Sequence, residues 1–187
     1  MTQHLYLLGH PVAHSKSPAM YNALYQELEL DWRYDLKDCM TPEQASDFIK
    51  ARDFLAINIT TPYKTLAFDR ADVRAATAKL AGGANVLVKK EDKLLAYNTD
   101  GEGCISYLES QKVNFSGSTI VVCGTGPTSL SIVHAAASAG ASRVVLLSRD
   151  FDRSGAVVQG YLDRLDKLAH ATIDLPVAQT GWRTLRS

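Results

Sequence analysis

The sequence predicts an α/β protein built in two parts, and three observations support this prediction. Short apolar segments alternate with helix-compatible segments along the first hundred residues, which is the pattern of βαβ units and a mainly parallel sheet. Beyond them, the apolar segment 119–123 leads through a glycine-containing turn into another helical pattern. The composition changes at Lys112–Ser118, so we expect one domain at 1–111 and a second at 112–187.

Composition excludes several classes of protein. Lysine plus arginine and aspartate plus glutamate number 20 each, so no overall field attracts nucleic acid or an anionic membrane. Cys39, Cys104 and Cys123 are widely spaced, which indicates neither a disulfide framework nor a metal site. With no signal sequence and no long apolar run, we expect a cytoplasmic monomer or homodimer that binds a small molecule.

The first strand, 5–8, runs into a loop with two serines. From Pro18 the pattern is helical, with apolar residues at helical spacing, and Ser17 is predicted as the N-cap residue. Ser15 and Ser17 would then lie at a helix N-terminus, where free N–H groups favour an anion such as a carboxylate. The alternative is that both serines only cap the helix and turn the chain.

The third strand ends in a polar turn that contains a lysine. A strand at 32–36 and a capped helix at 41–52 precede it, and the apolar segment 54–57 then leads to Asn58 and Thr60. Thr61 is predicted as the N-cap and Pro62 as the first helical residue, which places Lys64 in the first turn. A cation is unfavourable there, so we expect Lys64 to serve as a proton donor or acceptor, unless it is a solvated surface cation.

A hairpin and a further helix complete the first part. A helix is predicted at 71–80, and strands at 86–88 and 94–97 flank a short polar loop. The second strand ends at Asp100, which precedes a helix at 101–110. Asp100 can simply cap that helix, but strand ends gather at one edge of a parallel sheet, so it can also lie near Lys64.

The second part has the pattern of a partial Rossmann-like dinucleotide-binding domain. A buried strand at 119–123, a glycine turn, a helix at 130–139 and a second buried strand at 143–147 follow one another. In this arrangement the predicted cofactor residues are Gly124, Thr125, Gly126, Pro127, Thr128, Ser129, Ser148, Arg149 and Asp150. Arg149 favours NADP, whereas Asp150 keeps NAD possible, and Arg149 as a solvated cation is the alternative.

Together these motifs resemble shikimate dehydrogenase. They are Gly9-x-Pro11-x-x-His14-Ser15-x-Ser17-Pro18, Asn58-x-Thr60-x-Pro62-x-Lys64, Gly83-Ala84-Asn85, Asn98-Thr99-Asp100-Gly101 and the Gly-x-Gly turn. The resemblance implies that Ser15 and Ser17 bind the carboxylate of shikimate and that Thr60, Asn85 and Asp100 contact its ring hydroxyls. It also implies that Lys64 and Asp100 are the catalytic pair in the reversible, NADPH-dependent reduction of 3-dehydroshikimate, a step of aromatic amino acid biosynthesis.

The sequence also departs from the family pattern. Tyr21 stands where histidine is common, Pro127 replaces a glycine, and Ser148-Arg149-Asp150 replaces Asn-Arg-Thr. Family members extend well beyond residue 187, so we expect a truncated chain or natural fragment whose half Rossmann sheet exposes apolar surface. Its last elements would be a helix at 161–168, a strand at 171–177 and an unfinished element at 182–187.

Other functions remain open at this point. One is a quinate or quinate/shikimate dehydrogenase that uses NAD, and another is an inactive relative that only binds a polyol carboxylate or a nucleotide. A methylene-tetrahydrofolate dehydrogenase has a related layout, but the paired serines fit a small carboxylate better.

Overall fold

The computed structural model describes residues 2–169 and 183–185. Its strands are β1 (Gln3–Gly9), β2 (Trp32–Asp38), β3 (Ala56–Ile59), β4 (Val73–Arg74), β5 (Val86–Lys90), β6 (Lys93–Tyr97), β7 (Thr119–Cys123), β8 (Arg143–Leu147) and β9 (Arg183–Leu185). Its helices are α1 (Ser17–Glu27), α2 (Pro42–Ala51), α3 (Lys64–Arg70), α4 (Ala76–Ala81), α5 (Asp100–Ser110), α6 (Pro127–Ser138) and α7 (Phe151–Ala169). None of the helices in these ranges combines the length and apolar character that a membrane span requires.

The chain divides into two compact units. The first consists of Met1–Ala78 and Gly83–Tyr97, and the second of Lys79–Gly82 and Asn98–Ser187. These units are defined by packing, and the division into functional domains at 1–111 and 112–187 stays a prediction.

The first unit contains a six-stranded mixed sheet in the order β2-β1-β3-β5-β6-β4. Strand β1 pairs in parallel with β2 and β3, and β4 pairs in parallel with β6. Strands β5 and β6 form the predicted antiparallel hairpin, and β5 also pairs antiparallel with β3. The predicted α/β class with a mainly parallel sheet is confirmed.

The core of the first unit lies on one face of this sheet. Alternate residues of the central strands point to that face, and the buried cluster there includes Leu8, Ile57 and Leu87. Ile49 of α2 and Ala67 of α3 belong to the same cluster, so these two helices cover that face. The predicted cap of α2 is present, because the Thr41 hydroxyl accepts a hydrogen bond from the Gln44 N–H at 3.3 Å.

The predicted helix at 71–80 is wrong over its first half. Val73–Arg74 forms β4, and helix α4 begins only at Ala76. Asp72 explains the difference, since its N–H donates to the Leu94 carbonyl and its carboxylate accepts from the Leu94 N–H at 2.7 Å. Arg52 lies 2.8 Å from the same carboxylate, and these contacts lower the pKa of Asp72. Long-range pairing with β6 therefore outweighs local helix propensity here.

The second unit contains a smaller sheet in the order β7-β8-β9. Strand β8 pairs in parallel with β7 and antiparallel with β9. Its core joins residues of β8 and the helices, among them Leu146, Val133, Val158 and Tyr161. The helix predicted at 161–168 is part of α7, and burial raises the pKa of Tyr161 to about 12.

The prediction of an uninterrupted buried strand at 119–123 is wrong. Val122 is buried, but Val121 is 56% exposed and Thr119 and Cys123 are exposed as well. Within the described residues β7 pairs only with β8, which leaves its other edge without a neighbouring strand. The predicted strand at 171–177 lies outside the described residues, as does the element at 182–187 except for β9.

Candidate active site

Three loops of the first unit meet at the carboxyl ends of β1 and β3. The His10 N–H donates to the Thr61 carbonyl at 3.1 Å, which joins the loop after β1 to the loop after β3. The Ala84 N–H donates to the Lys64 carbonyl at 2.8 Å, which joins the start of α3 to the loop before β5. The main chain therefore fixes the positions of the predicted substrate residues Ser15, Ser17, Thr60, Lys64 and Asn85 relative to one another.

Close packing reinforces the junction between the first two loops. A Cβ atom built on Gly9 would lie 2.3 Å from the Thr60 side chain and 2.8 Å from the Val12 side chain. Only glycine fits this approach without displacing its neighbours. On the other side of Thr60, the Ile59 N–H donates to the Asn85 carbonyl at 2.8 Å. Thr60 and Asn85 are thus held on adjoining strand ends.

The two serines lie together at the beginning of α1. The Ser15 hydroxyl lies 3.1 Å from the Ser17 hydroxyl and accepts a hydrogen bond from the Ser17 N–H at 3.2 Å. The predicted N-cap at Ser17 is wrong by one residue, because Lys16 is the N-cap residue and Ser17 is already helical. Ser15 precedes the helix, and its hydroxyl satisfies the Ser17 N–H. Both hydroxyls therefore lie beside the helix N-terminus.

Lys64 is the first residue of α3. The predictions of Thr61 as N-cap and Pro62 as first helical residue are wrong, because the Tyr63 N–H donates to the Thr60 carbonyl at 3.0 Å and closes a turn before the helix begins. Tyr63 is buried, and its hydroxyl donates to the Cys39 carbonyl at 2.6 Å. Because Tyr63 directly precedes Lys64, this hydrogen bond also fixes the main-chain position of Lys64, which is half-buried.

Asp100 belongs to the second unit, where it is the first residue of α5. Its carboxylate accepts a hydrogen bond from the Thr128 hydroxyl at 2.8 Å, and its N–H donates to the Asn98 side chain at 3.1 Å. Thr99 takes the N-cap position, and its side chain forms no capping bond. A negative charge in the first turn is favourable, and here it also links α5 to the beginning of α6.

Helices α5 and α6 approach each other closely beside Asp100. The Gly101 N–H donates to the Ser131 hydroxyl at 2.9 Å. A Cβ atom on Gly101 would lie only 2.1 Å from the Ser131 carbonyl oxygen, so this position requires glycine. Gly101 belongs to one of the motifs found in the sequence, but its packing role was not predicted.

A cleft of about 750 Å³ lies at the carboxyl ends of β7 and β8. The predicted cofactor residues that line it are Gly124, Thr125, Gly126, Ser148, Arg149 and Asp150, together with Cys123, Leu147, Ser154 and Val157. The other three predicted residues, Pro127, Thr128 and Ser129, form the first turn of α6. The strand, the glycine turn and the helix predicted from the sequence are therefore present, and the turn lines a cleft.

Each glycine of the turn has a separate role. Gly124 has a φ of +107°, which side chains rarely adopt, and a Cβ there would lie 3.0 Å from the Ser129 hydroxyl. Gly126 is the N-cap residue of α6, and a Cβ there would point into open space. Arg149 and Asp150 are exposed at the end of β8, and the Asp150 carbonyl accepts from the Ser154 N–H at 3.1 Å.

Tyr34, which joins α1 to the strands, was not among the residues predicted from the sequence. Both main-chain groups of Tyr34 bind the Asn22 side chain, at 2.8 and 2.9 Å, and its hydroxyl donates to the Asn58 side chain at 2.8 Å. The available signal was Asn58 itself, since asparagine is depleted inside strands. Among the residues described, no group of three His, Cys, Asp or Glu side chains could hold a metal ion.

Comparisons with known proteins agree with these motifs. Residues 7–87 match the family described as the shikimate dehydrogenase substrate binding domain. A curated relative, shikimate dehydrogenase (NADP(+)) of Alkaliphilus metalliredigens, is 37% identical over 146 residues, which cover 76% of this chain and 51% of the relative. The chain thus spans about half the length of the curated relatives it matches.

Two solved structures show the same fold. Shikimate 5-dehydrogenase from Thermus thermophilus, in complex with NADP(H) and shikimate, matches with a TM-score of 0.77 and 29% identity over 86% of this chain and 61% of that one. Shikimate 5-dehydrogenase from Listeria monocytogenes, in complex with shikimate and NAD, matches with a TM-score of 0.76 and 25% identity over 89% of this chain and 58% of that one.

Proposed function

We propose, from the match of residues 7–87 to the shikimate dehydrogenase substrate binding domain, that this chain binds shikimate and takes part in the reversible NADPH-dependent reduction of 3-dehydroshikimate. One observation carries the proposal. The three loops that hold Ser15, Ser17, Thr60, Lys64 and Asn85 are joined by direct main-chain hydrogen bonds within the residues that match the substrate-binding domain.

The side chains of these loops suit a small polyol carboxylate. Ser15 and Ser17 offer two hydroxyls at a helix N-terminus, where a carboxylate is stabilised by hydrogen bonds and by the helix dipole. Thr60 and Asn85 offer a hydroxyl and an amide, which can both donate to and accept from ring hydroxyls. This set of groups recognises one anionic end and one hydroxylated ring on the same small molecule.

Lys64 and Asp100 are the proposed catalytic pair. Reduction of a carbonyl places negative charge on its oxygen, and the Lys64 ammonium can stabilise that charge or donate a proton to it. The Asp100 carboxylate can accept a hydrogen bond from the hydroxyl next to the reacting carbon, while the Thr128 hydroxyl holds it in place. Neither role requires a covalent intermediate.

The cleft of the second unit fits a dinucleotide. An open space faces Gly126 at the N-terminus of α6, where a pyrophosphate can approach the main chain, although Pro127 contributes no N–H group. The exposed Arg149 guanidinium can pair with a 2′-phosphate, which favours NADP, whereas Asp150 would favour the ribose hydroxyls of NAD. When bound, the nicotinamide supplies or accepts the hydride.

The decisive experiment compares four substrate and cofactor pairs. We would measure oxidation of shikimate and of quinate with NADP⁺ and with NAD⁺ by this chain and by its Lys64→Ala variant. Lysine-dependent oxidation of shikimate with NADP⁺ is the expected result, and a preference for quinate and NAD⁺ would instead support the quinate dehydrogenase alternative.

Calorimetric titration with shikimate separates the remaining outcomes. Binding without turnover would support a chain that only holds the substrate, as an inactive relative would. A parent chain that neither binds nor oxidises shikimate would refute the proposal.

A further inference from the structure

Tyr34 connects three elements of the first unit through separate contacts. Its ring stacks on Tyr21 of α1, with the ring centroids 4.5 Å apart, and its main chain binds the Asn22 side chain of the same helix. Its hydroxyl reaches past β1 and donates to the Asn58 side-chain oxygen on β3 at 2.8 Å. Helix α1, which begins at Ser17, is thereby tied to the strand that leads to Thr60.

The Tyr34 hydroxyl is well suited to hold one fixed bond. The side chain is 1% exposed, and burial raises the pKa of Tyr34, so the hydroxyl stays a protonated donor at neutral pH. A buried donor that lost its acceptor would be strongly disfavoured, and this keeps the Asn58 oxygen turned towards Tyr34.

This bond leaves the nitrogen end of the Asn58 amide available. Asn58 is the second-last residue of β3, and Thr60 follows the end of that strand directly. Asn58 is half-buried, and within residues 2–169 and 183–185 its side-chain NH₂ group has no hydrogen-bond partner. An unpaired donor beside Thr60 is chemically suited to the hydroxyl of a bound polyol.

We propose that Tyr34 is a positioning residue for substrate binding: its hydroxyl fixes the orientation of the Asn58 amide, so that the NH₂ group donates to a hydroxyl of the bound ligand. Tyr34 touches no substrate itself and acts through Asn58. The inference rests on the proposed binding of shikimate and adds two residues to the set that determines its affinity.

A double-mutant cycle on ligand binding tests this role. Shikimate affinity would be measured by calorimetry for the parent chain, Tyr34→Phe, Asn58→Ala and the double variant. We expect Tyr34→Phe, which keeps the ring, to weaken binding about fivefold to tenfold, the size of one hydrogen bond. In the Asn58→Ala background the same change should weaken binding by less than about twofold, because the residue it acts through is gone.

The control is Tyr25→Phe. Tyr25 is buried in the same aromatic cluster, where its ring packs on Tyr21 and Trp32. Removing its hydroxyl leaves the bond between Tyr34 and Asn58 in place, so shikimate affinity should stay within about twofold of the parent value. Equal effects of Tyr34→Phe in both backgrounds would show a merely structural role and overturn the inference.

A measurement without ligand keeps the inference distinct from the proposed function. The side-chain NH₂ signals of Asn58, assigned by NMR with the Asn58→Ala variant, should shift or broaden in Tyr34→Phe and stay unchanged in Tyr25→Phe. Unchanged signals in Tyr34→Phe would overturn the inference even where shikimate binds. A parent chain that fails to bind shikimate would overturn the proposed function and this inference together.

Discussion

The two units hold their functional residues in different ways. In the first unit, main-chain hydrogen bonds join three loops, and the Tyr34 contacts add a second connection between α1 and β3. In the second unit, one turn between β7 and α6 shapes the cleft, and Arg149 and Asp150 extend from it into solvent. A small ligand with few contacts needs each polar group placed beforehand, whereas a dinucleotide is held mostly by the shape of a main-chain turn.

The sheets of the two units also differ in size and in how deeply their strands are buried. The first unit has six strands, and its central strands contribute fully buried residues such as Leu8 and Leu87. In the second unit the described residues give β7 a strand partner on one side only, and Val121 is more than half exposed. Substitutions in the first unit should therefore mainly change substrate binding and turnover. Substitutions in the second unit should mainly change nucleotide affinity and the stability of packing.

The largest expected effect is that of Lys64→Ala on turnover. Removing the group that stabilises charge on the reacting oxygen should lower kcat of shikimate oxidation about 100-fold to 10,000-fold with little change in KM. Lys50→Ala is the matched control, since Lys50 is an exposed helical lysine whose nearest acidic partner is Asp47 at 3.8 Å. Steady-state kinetics would check this, and an unaltered kcat would rule out a catalytic role for Lys64.

Gly101→Ala should have the largest effect on stability in the second unit. Its Cβ would lie 2.1 Å from the Ser131 carbonyl oxygen, so α5 and α6 must move apart, at a cost of about 2 to 4 kcal/mol in the free energy of unfolding. Gly103→Ala, two residues along the same helix, meets no atom within 4 Å and should stabilise the chain by about 0.5 to 1 kcal/mol. Urea unfolding followed by circular dichroism measures both, and similar values for the two variants would contradict this packing.

A smaller effect, confined to nucleotide binding, is expected of Gly126→Ala. The φ of −78° accepts alanine, and an added Cβ meets no protein atom, so the free energy of unfolding should change by less than about 0.5 kcal/mol. The methyl group would instead occupy the space where a pyrophosphate approaches the main chain, and NADPH should bind at least about tenfold more weakly. NADPH fluorescence titration tests this, with shikimate affinity as the internal control that should not move.

The smallest expected effect is a pH dependence of stability from His134. Burial lowers the pKa of His134, so below about pH 6.5 the unfolded chain binds a proton that the folded chain does not. The free energy of unfolding should therefore fall as the pH drops below about 6.5, and His134→Gln should reduce that loss. Thermal unfolding between pH 7.5 and 5 would show it, taking ~0.5 pH steps across the histidine range. The exposed His4→Gln serves as control, and identical pH profiles for all three proteins would contradict the prediction.

Much of the fold could be predicted because it depends on local patterns. The hairpin of β5 and β6, the cap of α2 and the turn from β7 into α6 each follow from a few neighbouring residues whose main-chain preferences agree. The candidate residues of both units were identified for the same reason, since each group stands in a short motif at the end of a strand.

Two of the errors occur where another residue forms a hydrogen bond with a group that local rules would assign to a different partner. Helix α3 begins at Lys64 and not at the predicted Pro62, because the hydrogen bond to the Thr60 carbonyl forms a turn before the helix. Strand β4 forms where a helix was predicted, because Asp72 pairs with Leu94. Sequence patterns contain no information on which distant strand will offer a partner at a given residue.

The sequence by itself determined which chemical groups are present and in which order along the chain, because residue types and their near-neighbour preferences are local properties. Only the tertiary structure decided that Gly9 packs against Thr60, that Gly101 packs against Ser131 and that Tyr34 holds Asn58. Each of these contacts joins residues at least 24 positions apart, and such contacts are set by the packing of strands and helices within each unit.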